Sequence, residues 1–468
     1  MFTKAPILNI INQHNMRIIH KRIVPLILQV IGVMVGIMLL QACKKDIADN
    51  PEFGPGDYPR IFYAQGNFPQ AIIIDQGGSA KYGGLTYSPA GKVKISWKVN
   101  DEVKSNDTSF TFVPTTGGEY SIKLEVELNG LVSTRSSQVL VKPATYTRKN
   151  FNKVVMGYLS YDGLAADVKW PFITHLAAQL GKVSSDGVLD ITKGNANQLA
   201  DELVARGHIR GLPVLLTLFG RLSPVDGWAL YESDDMGTAL RDATRRAGLV
   251  TQVKNYITAS RMDGVDVMMT DFNGSPNYSA NLTALGLFVK ELRTALPANA
   301  IITITAGAGW QHWEYPDLSP VDWVNVRAFE DGVHVGPGAP VGQASSLDFM
   351  KTAANIWAQF HVAPSKVVVG FPVFGLRYTD LDANGNCLSW GSYDYASYKS
   401  ILAIDATADT KEFINSAKGI YYNGVPLIKQ KADFIKASAY KGMYGWYIDG
   451  DAADTTKSLF RTAFRALN

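Results

Sequence analysis

From residue 151 to the carboxyl terminus, short apolar runs alternate with longer stretches of helical periodicity, which restricts this part of the chain to a layered α/β architecture. The runs are 154–159 (VVMGYL), 173–181 (ITHLAAQLG), 212–220 (LPVLLTLFG), 263–270 (DGVDVMMT), 300–307 (AIITITAG), 323–329 (WVNVRAF), 366–375 (KVVVGFPVFG) and 442–449 (GMYGWYID). Between them the pattern turns amphipathic, as at 279–296, where Leu282, Leu285, Val289, Leu292 and Leu296 share one helix face. Eight such units over residues 151–468 predict a closed (β/α)₈ TIM barrel. No Gly-rich phosphate loop follows the first run, which argues against a doubly wound open sheet. In a barrel of this kind the chemistry sits at the carboxyl ends of the strands.

Residues 60–143 follow a different rule. Val93, Ile95, Trp97 and Val99 alternate with Lys94, Ser96 and Lys98; Tyr120, Ile122, Leu124, Val126 and Leu128 repeat the period-two pattern up to Asn129-Gly130, a strong hairpin turn. Several short strands with Trp97 turned inward predict a small all-β sandwich, immunoglobulin-like or PKD-like. A spacer role is the preferred reading over a sugar-binding module, because fold alone assigns no function. Residues 144–150 link this region to the barrel.

With 46% hydrophobic and 19% charged residues, the chain is globular in composition and able to bury a sizeable core. Its charge is concentrated at the amino end: residues 1–42 carry Lys4, Arg17, Lys21 and Arg22 and no acid. Removing those four from 45 basic residues leaves 41 against 42 acidic ones, so nucleic-acid binding lacks its electrostatic basis. The basic stretch, the apolar run Ile23–Ala42 and then Cys43 read as a targeting segment. Leu40-Gln41-Ala42-Cys43 resembles a bacterial lipoprotein box, which implies lipidation at Cys43 and removal of residues 1–42; Met16 is an alternative start. An uncleaved anchor helix is the competing reading, weakened by Pro25 and Gln29. Residues 43–59 are charged and rich in Gly and Pro, as in a flexible tether, and Lys44-Lys45-Asp46 resembles the export signals of Bacteroidetes surface lipoproteins. The expected location is the outer membrane or cell surface of a Gram-negative bacterium. With Cys43 lipidated, Cys387 stands alone, a core or loop residue with no disulfide partner.

The fourth run carries the most specific chemistry. Strand alternation sends Asp266, Met268 and Thr270 to one side, the barrel interior, and Val265, Val267 and Met269 to the helices. A carboxyl buried at Asp266 needs partners, and its role as structural group or ligand contact stays open on sequence grounds. Asp263-Gly264-Val265-Asp266 resembles the opening of the signature strand of glycoside hydrolase family 18, the chitinases and endo-β-N-acetylglucosaminidases. Val155-Met156-Gly157-Tyr158, Ile173-Thr174-His175 with Ser185-Asp186-Gly187, Lys366–Gly375, Tyr422-Asn423-Gly424 and Tyr444-Gly445-Trp446 are similar to further family segments, in family order.

The resemblance implies substrate-assisted hydrolysis, outside the usual two-carboxylate scheme: a Glu ends the signature and protonates the leaving oxygen, an Asp orients the substrate acetamide, and a strand-six Tyr hydrogen-bonds it. Here Thr270 stands at the Glu position, Met268 at the orienting Asp and Phe329 at the Tyr, while Thr217-Leu218-Phe219-Gly220 replaces the strand-three motif. A threonine hydroxyl is no proton donor of suitable pKa near neutral pH, and loss of a general acid alone removes roughly 10² to 10⁴ in rate. No catalytic residue is therefore expected, with Asp271 and Glu330 as candidates for a relocated acid; Asp271 has the wrong strand parity and would need a bulge.

What the resemblance leaves is a sugar cleft. Trp446 matches the tryptophan that floors the family's central subsite, and Tyr158, Trp310, Trp313, Trp390 and Tyr378 follow strand ends as further candidate contacts, with Asp263 and Asp266 beside them. Residues 376–441 leave room for a helix and only a modest insertion, so the groove is expected to be shallow. The reading is a lipid-anchored, non-catalytic binder of N-acetylglucosamine-containing glycans with no cofactor or metal. The alternatives are an active glycosidase and a protein-interaction partner within an outer-membrane uptake complex.

Overall fold

The computed structural model describes residues 58–192, 196–221, 236–270, 277–308, 312–330 and 334–468. The expected signal segment, Cys43 and nearly all of the tether lie outside the described residues, as do Asp271, Trp310 and the side chain of Thr270. The chain divides into two compact units, one holding 81–112 and 121–137 with the residues up to Gln70, the other holding 71–80, 113–120 and 138–468.

In the first unit Arg60–Tyr63 pairs with Leu85–Ser88, and Lys94–Val99 runs antiparallel to Ile122–Glu127. Asn129 and Gly130 turn the chain with φ of 51° and 86°, the two positive values that a tight hairpin needs. Trp97 is fully buried against Tyr82 and Phe110, with ring centroids 5.5 and 5.4 Å away, and its indole N–H donates to the Asp107 carbonyl at 2.9 Å.

The second unit is built on eight parallel strands: β1 (Val154–Leu159), β2 (His175–Val183), β3 (Val214–Arg221), β4 (Gly264–Thr270), β5 (Ile301–Gly307), β6 (Trp323–Arg327), β7 (Val367–Pro372) and β8 (Gly442–Trp446). Each pairs with its neighbour, and β1 pairs with both β2 and β8, closing the (β/α)₈ barrel. All eight expected strands form. Alternation works as read: Val265 and Val267 belong to the outer core, together with Leu282, Leu285, Val289 and Leu292 of the helix Tyr278–Ala295. Burial of each such side chain contributes roughly 1.5–3 kcal/mol, and the period of the pattern decides which faces meet. On the inner side Met156, Leu215, Met268, Val368 and Tyr444 fill the barrel with apolar side chains.

Two glycines set how closely the strands approach at the amino ends. A Cβ at Gly264 would lie 1.9 Å from the carbonyl oxygen of Ile301, its register partner on β5, and one at Gly442 would lie 2.1 Å from that of Val154 on β1. The Asp-Gly pair opening β4 is thus a packing requirement of the barrel.

The seventh run departs from expectation. It divides at Val373: β7 stays in the barrel, while Phe374–Tyr378 leaves it to join an antiparallel sheet with Tyr393–Ser397, Ile420–Tyr422 and Phe413–Ile414. Residues 374–441 therefore hold a folded four-stranded sheet as well as the helices Tyr398–Ile404 and Val425–Ala437. One face buries Tyr422, Ile420 and Ile414 together with Tyr398 and Ile401 of the first of those helices. An apolar face of its own is what lets so short a segment fold as a sheet.

Candidate functional site

The barrel interior places its polar residues in one layer. Thr217 on β3, Asp266 on β4 and Thr303 on β5 are register partners, and Thr305 pairs with Asn325 on β6 one step further on. Asp266 is fully buried and both its oxygens are engaged: Tyr158 donates to Oδ2 at 2.8 Å, while Thr303 and Asn325 donate to Oδ1 at 2.5 and 3.0 Å. Tyr158 in turn accepts from Asn325 at 3.0 Å and lies 2.8 Å from the Thr305 hydroxyl; Trp323 donates to Asn325 Oδ1 at 2.9 Å. The network is closed within the protein. Burial pushes the Asp266 carboxyl up to about 6, against the opposing hydrogen bonds from Thr303, Tyr158 and Asn325. Sequence parity pointed Asp266 inward; it did not identify Thr303, Thr305 and Asn325, although the polar residues within the apolar runs IITITAG (Thr303, Thr305) and WVNVRAF (Asn325) are the signal that shows them.

One layer toward the mouth the chemistry is apolar. Met268 and Phe329 are 3% and 2% exposed and share the inner cluster with Phe219, Tyr444 and Trp446. Phe329 meets Phe374 edge-on at 5.9 Å, and the Arg327 guanidinium lies over its ring at 5.0 Å. Arg327 also forms an ion pair with Glu330, a non-glycine residue held at φ of 63°. Phe329, Glu330, Gln343, Phe374 and Tyr421 line a cleft beside the barrel mouth. Glu330 is thus at the mouth, with one carboxylate oxygen already accepting from Arg327.

Trp446 ends β8 in the same region, 8% exposed, tilted against Tyr158 at 4.8 Å and stacked on Tyr447 at 4.3 Å. Tyr447 donates to Gln179 at 3.1 Å, tying the end of β8 to β2. Ser160, just beyond β1, donates to Asp449 through its amide at 3.0 Å and its hydroxyl at 2.9 Å. Tyr158 and Trp446 are register partners, so the expected aromatic floor and the Asp266 network are adjoining layers of one interior.

Four further expected contacts lie outside these two layers. Asp263 lies at the amino end of β4, away from the mouth, where the Val214 amide and His208 donate to Oδ2, both at 2.9 Å, and Tyr146 and Arg148 engage Oδ1. Burial opposes its charge, but hydrogen bonds from His208 and Tyr146 outweigh that and hold its carboxyl below the usual range. Tyr146 also stacks on His208 at 3.9 Å, so Asp263 fastens the 144–150 segment to the barrel base. Tyr378, at the end of the first strand of the four-stranded sheet, is fully buried and donates to the His334 carbonyl at 2.8 Å, which leaves it no ligand-facing surface. Trp390 is 58% exposed and lies over Gly336, on a loop following Phe374–Tyr378. Trp313 is exposed after β5. Among the described residues no group of three or more His, Cys, Asp or Glu side chains is arranged to hold a metal ion, and no helix is long and apolar enough to cross a membrane.

The model of the glycosyl hydrolases family 18 matches residues 146–451. The chain belongs to that family. Among solved structures, a chitinase from Bacteroides thetaiotaomicron is similar at 24% identity and a TM-score of 0.56, the match covering 67% of this chain and 96% of that one. The family 18 chitinase ChiB from the chitin utilization locus of Flavobacterium johnsoniae matches at 19% identity and a TM-score of 0.55, over 68% and 94% of the two chains. A chitinase-like agglutinin from Robinia pseudoacacia matches at 19% identity and a TM-score of 0.53, over 67% of this chain and all 100% of that one. At these identities the likeness shows the fold. The family 18 barrel thus carries at its mouth an aromatic floor, a closed polar layer beneath it, and apolar side chains at positions 268 and 329.

Proposed function

We propose that this family 18 barrel is a non-catalytic binder of N-acetylglucosamine-containing glycans, held at the outer membrane by a lipid on Cys43. The observation that carries the reading is the pairing of Met268 and Phe329, both buried in one apolar cluster at two of the three positions where the family resemblance places the polar machinery. Neither side chain can transfer a proton or fix an acetamide by hydrogen bonding. Trp446 stands where the family resemblance places the tryptophan that floors the sugar subsite, packed against Tyr158 and Tyr447. The agglutinin among its fold neighbours supports the idea that such a barrel serves binding, and another neighbour, a mutant class V chitinase from Nicotiana tobaccum, is in complex with NAG4.

Isothermal titration of the purified chain with chitooligosaccharides and with N-glycans tests the reading; saturable heat from one of the panels is expected, and silence from both sinks it. Incorporation of labelled palmitate, abolished by Cys43→Ala, tests the anchor.

The position of Glu330 on the mouth cleft favours one alternative, an active glycosidase with a relocated acid. Its carboxylate is engaged by Arg327, a partner that a proton donor would have to release. Cleavage of labelled chitin oligomers, lost in Glu330→Gln or Asp271→Asn, would establish that alternative. A third role, as a partner within a glycan uptake complex, predicts a stable outer-membrane partner in pulldowns with no glycan bound.

A further inference from the structure

Arg327 ends β6 with the same parity as Trp323 and Asn325, the inward residues of that strand, so its side chain enters the barrel mouth. Its guanidinium lies over the Phe329 ring at 5.0 Å, and Nη2 donates to Oε2 of Glu330. Nε and Nη1 make no hydrogen bond among the described residues, and 34% of the side chain stays exposed. Gly307 of β5 is its register partner, and a Cβ there would meet nothing within 4 Å among the described residues, which leaves open space beside the guanidinium. The ring beneath fixes the plane of the fork, so the unused N–H groups keep a defined direction.

The mouth also carries less negative charge than the family resemblance implies. Met268 and Thr270 are uncharged where the resemblance places Asp and Glu. Asp266 is bound up in the layer beneath, Asp449 accepts from Ser160, and Glu330 is paired with Arg327 itself. Tyr395 and Tyr444 also face Arg327, and burial raises both phenols, so they keep their protons at neutral pH.

We propose that this mouth selects glycans that combine N-acetylglucosamine with a sugar carboxylate, uronate or sialate, and that Arg327 binds the carboxylate. Of the groups a glycan carries, a carboxylate is the one that meets two neighbouring guanidinium N–H groups with two coplanar oxygens. A sugar hydroxyl engages one of them and gains no ionic attraction. An Asp at 268 or a Glu at 270 would repel such a ligand, and the uncharged residues there admit it. Phe329, on which the guanidinium rests, shares the inner cluster with Trp446, so one ligand reaches both. The assignment rests on the glycan-binding reading and names the ligand class that this barrel prefers.

The test is calorimetric binding to two pairs of probes: hyaluronan hexasaccharide with its carboxyl-reduced form, and a disialylated N-glycan with its asialo form. The wild-type chain is expected to bind the acidic member of one pair about tenfold more tightly than its neutral counterpart, an advantage that shrinks as salt rises. The pair that shows it tells uronate from sialate. Arg327→Gln is expected to lose the preference. Equal affinity of the wild-type chain for both members of each pair, binding of chitotetraose alone, or a preference that survives Arg327→Gln overturns the assignment and leaves glycan binding standing. The wild-type comparison decides the case in which Arg327→Gln does not fold. Absence of binding to all four probes and to chitotetraose overturns both.

Discussion

Tyr158 on β1 donates a hydrogen bond across the closed barrel to Oδ2 of Asp266 on β4 at 2.8 Å, with both side chains fully buried. Removing that hydroxyl leaves a buried carboxylate oxygen without a donor, and Asn325 loses an acceptor. Tyr158→Phe is expected to lower the unfolding free energy by about 2 kcal/mol, read as a lower urea midpoint at unchanged m-value. A shift within the scatter of replicate curves would show that the network contributes nothing to stability.

The raised Asp266 carboxyl gives a pH signature. In the unfolded chain the group titrates near its ordinary value, 3.8, and in the folded barrel at about 6. Its contribution to stability is therefore fully present below the lower value and is lost as pH rises through the higher one. Asp266→Asn removes this term. The wild-type chain is expected to lose stability relative to Asp266→Asn as pH rises from about 4 to about 6, with a constant difference above about 7. Urea unfolding of both chains at half-unit pH steps measures the difference, and a difference independent of pH across that window contradicts the assignment.

Asp263 separates stability from binding. It holds His208, Tyr146, Arg148 and the Val214 amide at the barrel base. Asp263→Ala is expected to cost at least about 3 kcal/mol, because the charged Arg148 and a buried amide lose their partner. Glycan affinity of the folded protein should stay within twofold of wild type. An affinity loss of tenfold or more would instead place Asp263 in the binding machinery.

Backbone approach at Gly264 leaves no space for a side chain, since a Cβ there would meet the Ile301 carbonyl at 1.9 Å. Gly264→Ala is expected to yield no soluble folded barrel. Gly307→Ala, at a glycine of β5 with nothing within 4 Å of its Cβ direction, should be recovered in normal amounts and serves as the control. Recovery of folded Gly264→Ala would show that β4 and β5 can separate without loss of the barrel.

Much of the architecture was legible because it depends on period. The alternation at Val265, Asp266, Val267 and Met268 sorts inner from outer side chains as it was read, and the eight apolar runs become the eight barrel strands. Asn129-Gly130 announced its hairpin because positive φ at two successive residues suits few other pairs. The sheet carried by residues 374–441 was not seen, since its strands Ile420–Tyr422 and Phe413–Ile414 are too short to show a period and gain their stability from one another and from a packed helix. Asp263 was misplaced for a related reason: a motif lists its residues side by side, but the rise of a strand separates the two ends of β4 by the depth of the barrel.

The sequence by itself determined the closed α/β barrel, the inward face of β4, the neutral charge of the chain beyond residue 42, and the substitution of Met268, Thr270 and Phe329 at positions where the family resemblance calls for polar groups. Only the tertiary structure decided that Asp266 is consumed by Tyr158, Thr303 and Asn325, that Asp263 bonds to His208, Tyr146 and Arg148 at the barrel base, that Tyr378 is buried against the His334 carbonyl, and that the Tyr444 hydroxyl beside Gly370 has no hydrogen-bond partner among the described residues. The physical reason is that faces and strand order follow from local periodicity, whereas hydrogen-bond partners are assigned by residues distant in the chain. They meet only when the barrel closes.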